Sequence, residues 1–235
     1  MAYIISGRRD FYVNGVSALS VGLVVDNLDP PPMAEQRISE YAGGIDQNIL
    51  IPDDVFEDIT ITVTARIIRK PADFDNSEIY AFFQNAKTLS LSSVPGKHFR
   101  VRTVSGIMPI SDLHGNECSY SISFRCAPFK YFTSNGWVQF ADEPITNPGT
   151  RFCRPVYHIT GASSTVLTVN GQAFTVTNAG GTDFYIDSER MLAYLADGTN
   201  ILPKTSGKFP FLQPGVNNLS LSAGAMSIKL NARCY

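Results

Sequence analysis

Glu57-Asp-Ile-Thr-Ile-Thr-Val-Thr-Ala-Arg-Ile-Ile-Arg69 has the clearest strand pattern in the sequence. Apolar residues alternate in it with threonines and an arginine, a period of two that predicts a β-strand with one buried face. The pattern returns from Glu117 to Cys126, where five apolar residues alternate with serines and one arginine. Two such strands predict a sheet with one face on a core and the other in water.

The composition fits a chain built from such strands. Of its 235 residues, 44% are hydrophobic, 17% are charged and 11% are aromatic, so the chain can bury a core. The length predicts one large or two ordinary domains. The many β-branched and aromatic residues favour strands.

The charge pattern argues against direct binding to duplex DNA. Basic residues number 19 and acidic residues 21, and no run of Lys and Arg reaches four. We therefore expect no sequence-specific nucleic-acid partner. The charge pattern is compatible with a ring through which DNA passes, because passage does not require the protein to attract DNA.

The N-terminus lacks the apolar core of a signal peptide, since its apolar stretch is only Tyr3 to Ile5. No window approaches eighteen apolar residues, so we expect no membrane span and a protein that starts in a cytoplasm. Four cysteines form no C-x-x-C pair and are interpreted as small buried hydrophobes: Cys118, Cys126, Cys153 and Cys234.

The N-terminal region predicts a hairpin and then an unusual projection. Asn14-Gly15 is a tight-turn dipeptide after Phe11-Tyr-Val13, and the apolar run Leu19 to Val25 is expected to be the returning strand. Asp29-Pro30-Pro31-Pro32 should end it. The polar stretch 33–50, with a central glycine pair, suits either a β-hairpin arm or a surface loop.

One short helix is predicted at about residues 76–87. Its apolar stripe falls at i, i+3, i+4 and i+7, with Asp75 as a possible cap and Glu78 in capping-box position. Strands are expected at Thr88–Ser92 and Phe99–Val104. Ala127-Pro128 is expected to end the strand that begins at Glu117, and a domain boundary is placed near residue 135.

The second half predicts an antiparallel sandwich of short strands, with Asn170-Gly171 as a second hairpin turn. The predicted strands are Val156–Thr160, Thr165–Val169, Ala173–Val176, Phe184–Ile186, Met191–Leu195, Asn217–Leu221 and Met226–Leu230.

Motifs that carry chemistry are absent from the sequence. His98, His114 and His158 lack zinc-site spacing, and no G-x-S-x-G appears. The near-match to a phosphate loop at 198–205 has Pro203 where a glycine amide is needed. Asp53, Asp54, Glu57 and Asp58 lack the calcium-loop pattern and suit a solvated entry to the following strand or an electrostatic rim for a partner subunit. We predict no enzyme and no catalytic, cofactor or metal residues.

The order of these parts resembles the distal tail (Dit) family of long-tailed phages. The matching features are the N-terminal hairpin, the proline-ended strand, the glycine-tipped arm, the long alternating strand, the single helix, and Ser-Phe-Arg-Cys126-Ala-Pro128-Phe-Lys-Tyr131. The second half resembles that family's galectin-like domain through Leu167-Thr-Val-Asn-Gly171, Phe184-Tyr-Ile-Asp187-Ser-Glu189 and the segment 207–217.

The resemblance implies a mainly β protein with two domains. Residues 1–135 would be a β-sandwich-like ring-forming domain with one short helix and an arm at about 29–50. Residues 136–235 would be a galectin-like antiparallel β-sandwich. The implied role is structural: a homo-hexameric ring, alone or stacked with a second ring, that joins the tail tube to the tip and lets DNA pass.

The implied partners are the tail tube protein, the tail-associated or tail-fibre hub protein, and receptor-binding or baseplate proteins. The implied location is the virion tail tip, after assembly in the host cytoplasm. The arm residues expected at the subunit interface are Arg37, Tyr41, Gly43, Gly44 and Ile45.

The galectin-like resemblance also raises an alternative function, a lectin-like module for host cell-wall glycan. The aromatic residues that suit sugar or partner docking are Trp137, Tyr185, Tyr194 and Phe211. Core packing is the other interpretation of these rings, since half the aromatics of an alternating strand face inward.

Overall fold

A computed structural model of the chain describes residues 9–42, 48–68, 77–111 and 117–235. The chain divides into two compact units, residues 1–130 with Tyr235, and residues 131–234. The mainly β fold class, with one short helix, is confirmed.

The first unit contains one helix, α1 (Ser77–Gln84), and nine strands in its described part. The strands are β1 (Phe11–Val13), β2 (Val16–Ser17), β3 (Val24–Leu28), β4 (Gln36–Ala42), β5 (Asn48–Phe56), β6 (Ile59–Ile68), β7 (Thr88–Leu91), β8 (Lys97–Ser111) and β9 (Glu117–Phe132), whose last two residues belong to the second unit. Seven of them form one sheet in the order β2-β1-β7-β8-β9-β6-β3, and β4 pairs with β5 apart from it.

The two strands with the clearest alternation pair with each other in the middle of this sheet. β6 and β9 are antiparallel from Ile59↔Cys126 to Ile68↔Glu117. Their inward residues, such as Val63 and Ile122, are fully buried, so the alternation in the sequence correctly identifies the core face.

Helix α1 packs its apolar stripe on this core. Ile79 and Phe83 are buried, and the Phe83 ring stacks on Phe11 with centroids 6.2 Å apart. Phe124 of β9 meets both rings edge-on, at 5.8 Å from Phe83 and 5.9 Å from Phe11. Such aromatic contacts add to the free energy of burial and fix where the helix sits.

Two strand predictions in this unit are wrong. Leu19 to Val25 is not a returning strand: residues Ala18–Val21 form a 3₁₀ turn, which Ser17 caps by accepting a hydrogen bond from the Leu19 amide. Gly22, at φ 81°, ends the turn before β3 begins. In addition, β9 does not end at Pro128. That proline lies beyond Ile59, the first residue of β6, so its missing N–H removes no bond from the β6 ladder.

The second unit has twelve strands. They are β10 (Trp137–Gln139), β11 (Ile145–Asn147), β12 (Val156–Thr160), β13 (Thr165–Val169), β14 (Gln172–Val176), β15 (Asp183–Asp187), β16 (Leu192–Leu195), β17 (Thr205–Gly207), β18 (Gly215–Asn217), β19 (Leu219–Leu221), β20 (Ala225–Lys229) and β21 (Arg233–Cys234). The two larger sheets are β10-β20-β12-β15-β16 and β17-β14-β13-β19, and β11 pairs with β18.

The core of this unit is formed by one face of each of the two larger sheets. Tyr157 and Phe184 come from the five-stranded sheet, and Leu167 and Phe174 from the four-stranded one, all buried. The predicted turn at Asn170-Gly171 is confirmed, with φ of 49° and 83°. The run predicted as Asn217–Leu221 is divided between β18 and β19.

The described cysteines are buried and unpaired: Cys126, Cys153 and Cys234. Burial raises the pKa of Cys126 and of Cys153 to about 12, so both stay protonated at neutral pH. They behave as the small hydrophobes that the sequence predicts. The side chain of Cys118 lies outside the described residues.

Candidate assembly and binding surfaces

The β4–β5 hairpin is a two-stranded sheet of its own in the first unit. Its base is closed by the Glu57 amide, which donates to the Glu35 carbonyl at 2.9 Å. Phe56, at the end of β5, anchors the base through an edge contact with Phe129 at 5.2 Å and a tilted contact with Tyr235 at 5.8 Å. The hairpin is therefore fixed at its base by aromatic packing.

The described side chains near the base include large exposed apolar groups. Ile38 is 54% exposed and Val55 is 51% exposed, and Met33 just before the hairpin is 78% exposed. These apolar side chains lie on a two-stranded hairpin and are not covered by a core. Exposed apolar surface of this kind is typical of interaction sites.

A bulge interrupts the hairpin one residue above its base. Gln36 pairs with Phe56 and Ile38 with Pro52, so Arg37 alone faces the three residues 53–55. Two of those three are aspartates, which therefore lie within β5 rather than ahead of a strand. A bulge of this kind increases the local twist and re-aims the rest of the hairpin.

The predicted arm residues lie here only in part. Arg37 is exposed near the base, and Tyr41 pairs with Ile49 in the backbone ladder. Gly43, Gly44 and Ile45 lie outside the described residues. The hairpin reaches Phe56, so it ends six residues beyond the predicted arm.

Strand β8, in the same unit, has an edge that is only partly paired in the described chain. β7 pairs with β8 only near Phe99 and Arg100, and the Val101 amide donates to the Lys87 carbonyl at 2.8 Å. Beyond that bond, no strand of the described chain pairs with β8 on the β7 side. We call residues 102–107 the open β8 edge; unpaired edges are templates for strand addition.

A groove runs beside the open β8 edge. Its volume is about 500 Å³, and α1 lines one wall with Tyr80 and Gln84, while Arg102, Val104 and Ile107 line the other. The walls combine an aromatic ring, aliphatic side chains and a guanidinium, which are the groups that interfaces favour.

A second candidate surface covers the outer face of the five-stranded sheet. Cross-strand pairing aligns Gln139, Ser227, His158, Tyr185 and Tyr194 in one row over five adjacent strands. Their sequence neighbours Tyr157, Ile159, Phe184, Ile186 and Ala193 are buried. Alternation along each strand therefore turns the row outward.

The rings on this face contact one another, and we call Trp137, His158, Tyr185 and Tyr194 the aromatic row. His158 stacks on Tyr185 with centroids 4.3 Å apart and planes 7° apart, and Tyr185 stacks on Tyr194 at 5.3 Å. Trp137, two residues before Gln139, meets His158 at 5.8 Å and Tyr185 at 6.2 Å, at steep angles. The stacked rings stand side by side, and the tilted indole ends the row.

Polar groups accompany the rings. The His158 Nε2 lies 2.7 Å from the Asp183 carboxylate, and the Ser227 hydroxyl donates to Gln139 Oε1 at 2.8 Å. Lys229 is the cross-strand partner of Trp137. The face therefore combines aromatic rings with hydrogen-bonding groups at several strands.

Three of the four predicted docking aromatics come together here, and the fourth does not. Phe211 packs on Phe152 at 5.7 Å, where guanidiniums of Arg151 and Arg233 lie over the Phe152 ring at 5.0 and 4.6 Å. His158 also lies on this face, although the sequence did not predict it there. Its alternation with the buried Tyr157 and Ile159 is the signal that could have identified it.

Within the described ranges, no group of three or more His, Cys, Asp or Glu side chains is placed to hold a metal ion. No helix in the described part of the chain is long and apolar enough to cross a membrane.

Comparison with solved structures shows that almost the whole chain has the fold of a phage distal tail protein. That fold is seen in the crystal structure of the SPP1 Dit protein (gp 19.1), described as a paradigm of the hub adsorption apparatus in phages that infect Gram-positive bacteria. The TM-score is 0.69 and the identity 14%, over 94% of this chain and 97% of that chain.

Chains of the phage p2 baseplate in its activated conformation resemble this chain more distantly. With Sr the TM-score is 0.48 and the identity 9%, over 95% of this chain and 98% of that chain. With Ca the values are 0.43 and 8%, over 94% and 97%. No family model matches the sequence, and neither does any curated protein.

Proposed function

We propose that this chain is a structural protein of a phage tail tip, where six copies form a closed ring, alone or stacked with a second ring. The ring is a hub between the tail tube and the tip proteins, and its opening lets DNA pass. The protein assembles in the host cytoplasm and acts in the virion.

The observation behind the proposal is that the first unit has both a hairpin outside its main sheet and an open strand edge. A hairpin on one copy can add to the β8 edge of the next through main-chain hydrogen bonds. The two surfaces differ, so the contact is heterologous, and repeated contacts of this kind form a ring when the rotation closes. Six is the number of copies that the resemblance to the Dit family implies.

The composition supports passage of DNA without capture. Basic and acidic residues nearly balance, at 19 and 21, and no basic run is present. A strongly positive ring would hold DNA through its phosphates, because such contacts dominate non-specific affinity.

The partners follow from the same proposal. One face of the ring contacts the tail tube protein, and the other contacts the tail-associated or fibre hub protein. Receptor-binding or baseplate proteins contact the rim. We assign Arg37, Tyr41, Gly43, Gly44 and Ile45 to the hairpin's contact with the neighbouring copy.

Excision of the hairpin tests the assembly step. Gln36 and Phe56 are cross-strand partners, so Asn-Gly inserted between them can replace residues 37–55 as a two-residue turn. Phe56 and its aromatic anchor are kept. We expect a folded chain that stays monomeric in analytical ultracentrifugation, because the core of the first unit lies elsewhere.

Two matched substitutions control for loss of apolar surface in general. Val55→Ala lies on the hairpin and should weaken the assembly, whereas Val216→Ala, 69% exposed in the second unit, should not. Rings that persist after the excision contradict the proposed role of the hairpin.

A further inference from the structure

The aromatic row ends at Trp137 on the edge strand β10, and packing within the protein does not explain why an indole stands there. All three residues of β10 are exposed, and Trp137 is 48% exposed. Cross-strand pairs of aromatic rings stabilise a sheet, which accounts for the His158, Tyr185 and Tyr194 stack. That stabilisation does not require an indole at the edge with half its surface in water.

The geometry of the row determines what can bind. Because His158, Tyr185 and Tyr194 stack on one another, much of each ring face is covered by a neighbour. Trp137 lies at 64° to the imidazole and 58° to the Tyr185 ring, so it stacks on neither ring, and it is 48% exposed. The surface therefore offers one broad aromatic face beside a line of ring edges.

Hydrogen-bonding groups lie along the same line. Tyr185 and Tyr194 carry hydroxyls that donate and accept, and Asp183 has carboxylate oxygens. Within the described part of the chain, neither the amide nitrogen of Gln139 nor the ammonium of Lys229 has a hydrogen-bond or ion-pair partner. The row crosses five strands, which at about 4.8 Å between neighbours is roughly 19 Å.

We propose that the aromatic row, with Gln139, Asp183 and Lys229, binds an uncharged saccharide chain. A pyranose ring presents C–H groups on one face, which pack on the electron-rich face of an indole, and hydroxyls at its edge, which need donors and acceptors together. Both kinds of group occur here, already held by ring stacking, so binding orders few side chains. Asp183 and Lys229 carry opposite charges, which favours an uncharged ligand.

The size of the surface favours a sugar over a protein partner. A stable protein interface buries about 800 Å² on each side. The uncovered aromatic surface in this row is one indole face and a line of edges, which matches a sugar ring better. This proposal does not depend on ring assembly, because every residue it uses lies on one sheet of the second unit.

Trp137 is the sole tryptophan of the chain, so its fluorescence reports directly on the row. The full chain is titrated with three hexasaccharides, of β-1,4-glucose, β-1,4-N-acetylglucosamine and α-1,4-glucose. We expect a saturable change in Trp137 emission with at least one of them. No saturable change with any of the three up to about 10 mM overturns the proposal.

Ligand-observed NMR on variants tests whether this face is the site. With the sugar that binds, Trp137→Ala should weaken binding at least about tenfold. Val138→Ala, on the same strand with its side chain pointing to the other side, should bind as the unchanged chain does. Circular dichroism checks that both variants are folded.

Equal binding by the two variants overturns the proposal. So does a Trp137 emission change that follows protein concentration without sugar, because it would mean that another copy covers the face.

Discussion

Tyr157 shows how a single residue can be well placed for packing and poorly placed for hydrogen bonding. It is fully buried in the second unit, and its hydroxyl has no hydrogen-bond partner in the described part of the chain. Burial raises the pKa of Tyr157 well above its ordinary value of 10.0, and the nearby Cys153 raises it further. A buried hydroxyl without a partner costs about 1–3 kcal/mol.

We expect Tyr157→Phe to raise the free energy of unfolding by about 1 kcal/mol in urea titrations at pH 7. Because the folded-state pKa is raised, the unchanged chain should lose stability as the pH rises above 10, whereas the Phe variant lacks this loss. The gain should therefore grow above pH 10. Tyr12→Phe, at an exposed position of the first unit, is the control and should change little. A Phe variant less stable than the unchanged chain contradicts this account.

Residues that act through local backbone chemistry could be predicted from the sequence. Both Asn-Gly turns occur where expected, because Asn and Gly tolerate positive φ whatever surrounds them. Pro128 could not be predicted, since its effect depends on where the neighbouring strand β6 begins. His158 was missed as part of the aromatic row because its partners lie on other strands.

At the scale of elements, the open β8 edge makes the most specific prediction about assembly. Backbone N–H groups alternate in direction along a strand. The Val101 amide points toward β7 and bonds Lys87, so the Thr103 amide points the same way, beyond the end of β7. It is therefore available to a strand from another copy.

We expect Thr103→Pro to keep the fold and weaken the assembly at least about tenfold, because proline removes this N–H while the amides that face β9 are unchanged. Thr103→Ala is the control, since it changes the side chain and keeps the amide. Analytical ultracentrifugation of the two variants measures the effect. Equal assembly of both would mean that no neighbouring strand pairs at this edge.

Elements with a strong period could be predicted, and those that depend on tertiary partners could not. The alternation in β6 and β9 and the stripe of α1 are visible in the sequence because one face of each is buried. β10 has no buried residue and hence no such pattern. It becomes a strand by pairing with β20, about ninety residues later in the chain. The aromatic row depends on that pairing, so its geometry could not be predicted from the sequence.

For the whole molecule, a Dit-like fold is combined with two surfaces that lie in different units. The first unit has a hairpin and an open edge, and the second unit presents a separate aromatic face. The assembly and the sugar binding that we propose therefore use different units, so either can be tested while the other is left intact. The near balance of charges fits a passage for DNA rather than a binding site.

The native mass of the full chain is the measurement that tests hub-ring assembly. At micromolar concentration, analytical ultracentrifugation with negative-stain images should show rings of six copies, or of twelve as two stacked rings, each copy contributing 25.7 kDa. A uniform population of 25.7 kDa monomers under the same conditions would contradict the proposal that this chain forms a hub ring.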